Sequence, residues 1–181
     1  MEVGLFGGSF NPPHVGHAMV LAWLRWTKQV DEVWLMPSFE HPFDKVLIPF
    51  ERRMAACEAM AGLFESGVKV CDIEAHLPRP SYTLNSLEAL EERHPRIRFR
   101  LVAGSDILDQ VDAWHKWDEI ASRFDPILVS RAGYRRVPGT PVFPEVSSTE
   151  IREALESGEA VEKMVPAAVL EAVKADFGSK Q

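Results

Sequence analysis

The chain reads as an α/β protein, a single doubly wound, Rossmann-like domain with a mostly parallel sheet and C-terminal helices. Three observations predict this. Short β-rich runs alternate with longer stretches of helical period. Two of the strand ends carry glycine with serine, at Gly7-Gly8-Ser9 and Gly104-Ser105, where a backbone can approach a ligand closely. The 181 residues, 46% of them hydrophobic, fit one core on the usual scale of about 100–200 residues per domain.

The strands are expected at residues 3–6, 32–36, 68–73, 97–103 and 126–130, with a shorter one at 141–143. The first helix is expected over residues 15–29, where Val15, Met19, Ala22, Trp23, Trp26 and Val30 recur at 3.6-residue spacing on one face. Further helical patterns cover residues 50–64, 82–93, 114–122, 148–157 and 166–175. There is no repeat, low-complexity linker or charge block. Residues 37–49 form the longest loop, with the character of a lid. Residues 1–145 are therefore expected to hold the sheet and residues 146–181 the closing helices. In such a fold, ligands sit beyond the carboxyl ends of the strands, where strand order reverses.

Composition narrows the function. With 27 acidic and 20 basic residues the net charge is -7, which argues against coating nucleic acid by bulk attraction. A local group of cations can still hold a small anion. The two cysteines, Cys57 and Cys71, form no CxxC pair or zinc-like spacing, in keeping with a reducing compartment. The opening Met1-Glu2-Val3-Gly4-Leu5-Phe6 lacks a basic leader, and no apolar run is long enough to span a bilayer. The expectation is a cytoplasmic protein with no membrane contact.

Two stretches carry chemistry. In Gly7-Gly8-Ser9-Phe10-Asn11-Pro12-Pro13-His14-Val15-Gly16-His17, glycines leave the first strand and a helix starts near His14. Free N–H groups and partial positive charge at a helix start suit phosphate. His14 and His17, one turn apart, can donate to phosphoryl oxygens, with Gly16 leaving room near His17. They could instead cap the helix or form a metal pair, although no third ligand or intervening glutamate accompanies them. In Ser147-Ser148-Thr149-Glu150-Ile151-Arg152, Ser147 and Glu150 read as a capping box. Arg152 stands near the positive end of that helix, where a cation is disfavoured unless an anion docks beside it, helped by Ser148 and Thr149.

The GSFNPPHVGH segment resembles the G-x-F-x-P-x-H-x-G-H signature of the HxGH nucleotidyltransferase superfamily, and VSSTEIR resembles its I-S-S-T-x-I-R signature. Pro80-Ser81-Tyr82-Thr83 and Gly104-Ser105-Asp106, followed by Trp114, are similar to the pattern of bacterial nicotinate-nucleotide adenylyltransferases. The resemblance covers residues 3–170, with the motifs in the family's order. It implies transfer of an adenylyl group from ATP, with Mg²⁺, to nicotinate mononucleotide, giving deamido-NAD and pyrophosphate.

By that resemblance His14, His17 and Arg152 act at the phosphates, with no metal held by side chains. Gly7, Gly8, Ser9, Phe10, Gly104, Asp106, Arg131, Ser148 and Thr149 bind ATP. Tyr82, Thr83 and Trp114 bind the acceptor, Trp114 by stacking on its pyridine ring, although Trp114 or Trp117 must also pack inward. The family's Pro-Pro-His-Lys-like stretch is replaced by Pro37-Ser38-Phe39-Glu40-His41-Pro42-Phe43-Asp44-Lys45. Lys45 aligns with the family lysine, and Arg52 or Arg53 can add charge near the acceptor phosphate. Arg131-Ala132-Gly133 replaces the family's Arg-Pro-Gly turn near adenine. Nicotinamide mononucleotide or phosphopantetheine as acceptor, a non-catalytic nucleotide-binding module, and self-association are left open by the sequence.

Overall fold

Strands that are apolar on both faces belong in a parallel sheet covered on both sides, and this chain builds one. A computed structural model describes residues 1–40, 47–80 and 82–177. In chain order its main elements are β1 (Glu2–Gly8), α1 (Val15–Trp26), β2 (Glu32–Pro37), α2 (Phe50–Ala61), β3 (Val68–Val70) and α3 (Thr83–Arg93). These are followed by β4 (Arg98–Gly104), α4 (Trp117–Phe124), β5 (Ile127–Arg131), β6 (Val142–Phe143), α5 (Ser148–Ser157) and α6 (Ala167–Phe177). The sheet order is β3-β2-β1-β4-β5-β6, with every pairing parallel.

Connections run outward from β1 through β2 to β3, then return to β4 and run the other way. The reversal lies between β1 and β4, which pair from Glu2↔Arg98 to Phe6↔Val102. Their carboxyl ends therefore open into the crevice where such folds take ligands. Side chains alternate across the sheet. Phe6 joins Val20, Leu21 and Leu24 of α1 with Val169 and Val173 of α6 in one core. Val3 and Leu5 point the other way, toward Leu87 of α3 and Phe124 of α4.

Three expectations change in detail. The face of α1 marked by Val15, Met19 and Trp26 is not the buried one: Gly16, Val20, Leu21 and Leu24 pack inward, while Trp26 is 80% exposed. The helix is apolar almost all round, so its spacing alone supports two stripes, and the slimmer one meets the sheet. β3 is three residues long because the chain turns into a 3-10 turn at Ile73–His76. Trp114 precedes α4, since residues Ser105–Asp109 and Val111–Ala113 form successive 3-10 turns and Lys116 adopts a left-handed conformation (φ 54°) before the helix starts.

Candidate active site

The β1 exit is built around aromatic packing. Phe10, in a left-handed conformation (φ 46°), turns its side chain inward, where it is 1% exposed. Its ring lies 4.9 Å from that of His17 and edge-on to Phe6 at 5.6 Å. The side chain of Phe10 thus packs beneath the histidine, in the core, because the turn points it there.

His14 and His17 stack at 3.8 Å between ring centroids. His14 caps α1 with extended backbone, and its N–H donates to His17 Nδ1 at 3.1 Å. An Nδ1 that accepts leaves the ring hydrogen of His17 on Nε2. Gly16 makes the pairing possible, because a Cβ there would sit 3.1 Å from His14 Nδ1 and Cε1. That Nδ1 is also the buried side-chain polar atom without a partner among the described residues. Burial, reinforced by the nearby Arg131 guanidinium, lowers the His14 imidazole from the ordinary histidine value to about 4. Burial first, then His14 and Arg131, holds His17 well below that value too. Both rings are therefore neutral donors near pH 7 in the free protein.

The start of α1 is less open than the sequence implied. Val15 N–H donates to the Met164 carbonyl at 2.8 Å, so part of the helix terminus is taken up by the chain itself.

The second motif meets the first across more than 130 residues of sequence. Ser148 Oγ donates to the Pro12 carbonyl at 3.0 Å, and Arg152 Nη1 donates to the Asn11 carbonyl at 2.8 Å. Arg152 also reaches the Ser148 carbonyl at 3.0 Å and Thr149 Oγ1 at 3.3 Å. Ser147 Oγ accepts from the N–H groups of Thr149 and Glu150, as a cap should. The Ser148 hydroxyl thus docks α5 onto the β1 exit, and the Arg152 guanidinium ends on the Asn11 carbonyl, in the turn that leads to the histidines.

At the β4 and β5 exits, Asp106 pairs with Arg131 at 3.4 Å, and Arg131 N–H donates to Ser105 Oγ at 3.1 Å. A Cβ at Gly104 would meet the Asp106 carboxylate and push it from its place beside Arg131. At the β1 exit, Gly7, Gly8 and Ser9 are half-buried, and the Gly8 carbonyl accepts from Ser38 N–H at 2.9 Å.

The expected acceptor residues are more exposed. Trp114 is half-buried and edge-on to Trp117 at 5.8 Å, and both lean on the α3/α4 core. Tyr82, 38% exposed, stacks on His115 at 4.2 Å, next to the half-buried Thr83. Lys45 lies outside the described residues. Arg53 does not supply free charge to an acceptor: it is 1% exposed and its donors end on main-chain carbonyls. Sequence reading gave no part to His115 or Asn11. The signal for Arg53 was present, since it shares an i, i+3, i+4, i+7 stripe with Ala56, Cys57 and Met60, which are buried.

Among the described residues, no group of three or more His, Cys, Asp or Glu side chains could hold a metal ion, and no helix is long and apolar enough to cross a membrane. Neutral imidazoles, two guanidiniums and strand-end glycines at a topological switch point define a class, the nucleotide-binding α/β domains built to hold polyphosphate.

Comparison with known proteins makes the class specific. The cytidylyltransferase-like family model matches residues 5–154. A protein of Anaeromyxobacter dehalogenans named "probable nicotinate-nucleotide adenylyltransferase" is 47% identical, over 96% of this chain and 94% of its own. One of Myxococcus xanthus with the same name is 44% identical, over 92% and 88% respectively. The chain belongs to the cytidylyltransferase-like family, among its nicotinate-nucleotide adenylyltransferases. In fold it is similar to the Plasmodium falciparum nicotinic acid mononucleotide adenylyltransferase complexed with NaAD, with a TM-score of 0.80, 20% identity and 98% of each chain covered.

Proposed function

We propose that this chain transfers the adenylyl group of ATP to nicotinate mononucleotide, releasing pyrophosphate and forming deamido-NAD. The observation that carries the reading is the contact of Arg152 and Ser148 with the carbonyls of Asn11 and Pro12, which ties the helix of the second motif onto the turn that bears the imidazole pair.

The acceptor's phosphate oxygen attacks the α-phosphorus of ATP, a new P–O bond forms, and the bond to the β-phosphate oxygen breaks with its electron pair leaving on pyrophosphate. A phosphate monoester has its second ionisation near ~6, so the nucleophile is already anionic at neutral pH. Accordingly, the protein needs no strong base; it must place two polyanions together and stabilise charge on the oxygens. His17 serves as donor through Nε2–H, held in that tautomer by the His14 N–H. His14 stacks against it and holds the ring in place. Arg152 and Arg131 hold the phosphates from two sides, while Gly7, Gly8, Ser9 and Gly104 let the nucleotide lie against main chain. Thr149 and Asp106 orient these arginines through their hydrogen bond and ion pair.

The donor set suits a metal that travels with the nucleotide: Mg²⁺ prefers oxygen, and phosphates and water supply it. Bound there, Mg²⁺ neutralises charge on the triphosphate. On the acceptor side, Trp114 stacks on the pyridine ring, with Tyr82 and Thr83 beside it and Lys45 at the acceptor phosphate by alignment. Buried, unpaired Cys57 and Cys71 accord with a cytoplasmic setting. The test is to incubate purified protein with ATP and Mg²⁺ and each of several acceptors. Pyrophosphate should appear in step with deamido-NAD; turnover confined to another acceptor would reject the reading.

A further inference from the structure

Arg53 is the most deeply buried charged residue described, at 1% exposure. Burying a cation is costly unless its donors are met. Here four carbonyls meet them: Nε donates to Ile48 at 2.9 Å, Nη1 to Ser9 at 3.0 Å and to Ser38 at 2.6 Å, and Nη2 to Phe39 at 3.3 Å. These carbonyls belong to three separate places: the β1 exit that leads to the histidines, the β2 exit, and the chain entering α2. Neighbouring bonds repeat the tie. Ile48 N–H donates to Asn11 Oδ1 at 2.8 Å, and Phe39 N–H donates to the Glu74 carboxylate at 2.9 Å.

An apolar side chain of similar volume often serves stability as well as a buried charge does. What an apolar group lacks is a planar fork with five donors that fixes several backbones at once, and lysine, a point charge, lacks it too. We propose that Arg53 is a positioning residue for adenylyl transfer: one guanidinium fixes the β1 exit, and through it the histidine pair, against the adjoining β2 exit and the chain entering α2. It touches no substrate; it holds in place the strand exit from which the histidines project. Because misplacement of about 1 Å can cost roughly 10²-fold in rate, loss of the fork should be felt in the chemical step before it is felt in binding.

This inference rests on the adenylyl-transfer reading, and wild-type turnover measured in parallel separates the two. If wild type does not convert ATP and nicotinate mononucleotide, the reading fails; if it does, the variants judge Arg53. Arg53→Lys and Arg53→Ala are assayed well below their melting temperatures, per folded molecule. We expect kcat to fall about 30-fold or more in both while KM for each substrate moves less than about threefold. Millimolar guanidinium ion should restore part of kcat in Arg53→Ala and leave wild type unaffected. An unchanged kcat would reduce Arg53 to a structural residue, and a loss confined to KM would make it a binding residue; either overturns the proposal. Should both variants fail to fold, ¹⁵N-arginine spectra of wild type decide. The Arg53 N–H signals should be protected from exchange and unmoved by ATP with Mg²⁺, and a freely rotating or shifting guanidinium contradicts the proposal.

Discussion

The two sides of the cleft are built on different terms. On the side proposed for the nucleotide, His14 is 7% exposed, Asn11 3% and Ser105 fully buried, each held by the elements around it. On the side proposed for the acceptor, Tyr82 is exposed, Trp114 is half-buried, and their contacts are ring against ring. A preorganised set of donors lowers a barrier because nothing has to reorient when charge develops. Accessible aromatic faces instead gain free energy when a planar ligand covers them. The difference teaches that substitutions on the nucleotide side should appear in kcat, and those on the acceptor side in the acceptor's KM.

The largest effect should come from His17→Ala. We expect kcat to drop about 10²–10³-fold, with circular dichroism unchanged; retained turnover in folded protein would break the comparison at its strongest point. Arg152→Ala removes both the proposed phosphate cation and the tie to Asn11. It should lower kcat by a similar order and also reduce the melting temperature, whereas Arg152→Lys should recover stability more than activity. On the other side, Trp114→Ala should raise the acceptor's KM about tenfold, in line with roughly 1–3 kcal/mol for stacking on an aromatic ring, and leave the ATP KM near wild type. Trp117→Ala tested alongside sharpens this, since a larger shift there would make Trp117 the stacking residue. His115→Ala, which leaves Tyr82 without its partner ring, should change the acceptor KM by only a few-fold.

The histidine pair also gives the free protein a pH signature. Its folded-state affinity for protons is depressed, so the unfolded chain binds more protons between pH 6.5 and about 4. Stability contributed by keeping these rings neutral is present above pH 6.5 and is lost as pH falls toward 4. For His14 alone the loss is on the order of 3 kcal/mol across that window. Thermal melts from pH 7.5 down to 4.5 should show it, and His14→Gln should flatten the slope.

What the sequence disclosed follows from how local each signal is. The strand-to-helix turn with its histidines is one continuous string, so the strand exit and the helix start that carries both rings could be read before any coordinates. The helix at Ser148 was equally plain, because a cap and its helix are neighbours in sequence. That Arg152 lands on Asn11 is a tertiary fact, and spacing along the chain carries none of it. The outer stripe of α1 misled for a physical reason: Trp26 and Met19 are apolar, and periodicity cannot rank two apolar faces by their fit to a sheet. Trp114 slipped out of its helix because Lys116, in a left-handed conformation, delays α4. Arg53 was visible as a cation in an apolar stripe, but its four carbonyl partners come from three segments that only folding unites.

The central claim is that two distant motifs form one cradle for a triphosphate, facing an acceptor phosphate. The most direct measurement is pyrophosphate release from ATP with Mg²⁺ by purified protein, run in parallel with nicotinate mononucleotide, nicotinamide mononucleotide and phosphopantetheine. The account predicts rapid release with nicotinate mononucleotide, matched mole for mole by deamido-NAD and abolished in His17→Ala. Equal or faster release with another acceptor, or ATP binding with no release at all, would contradict it.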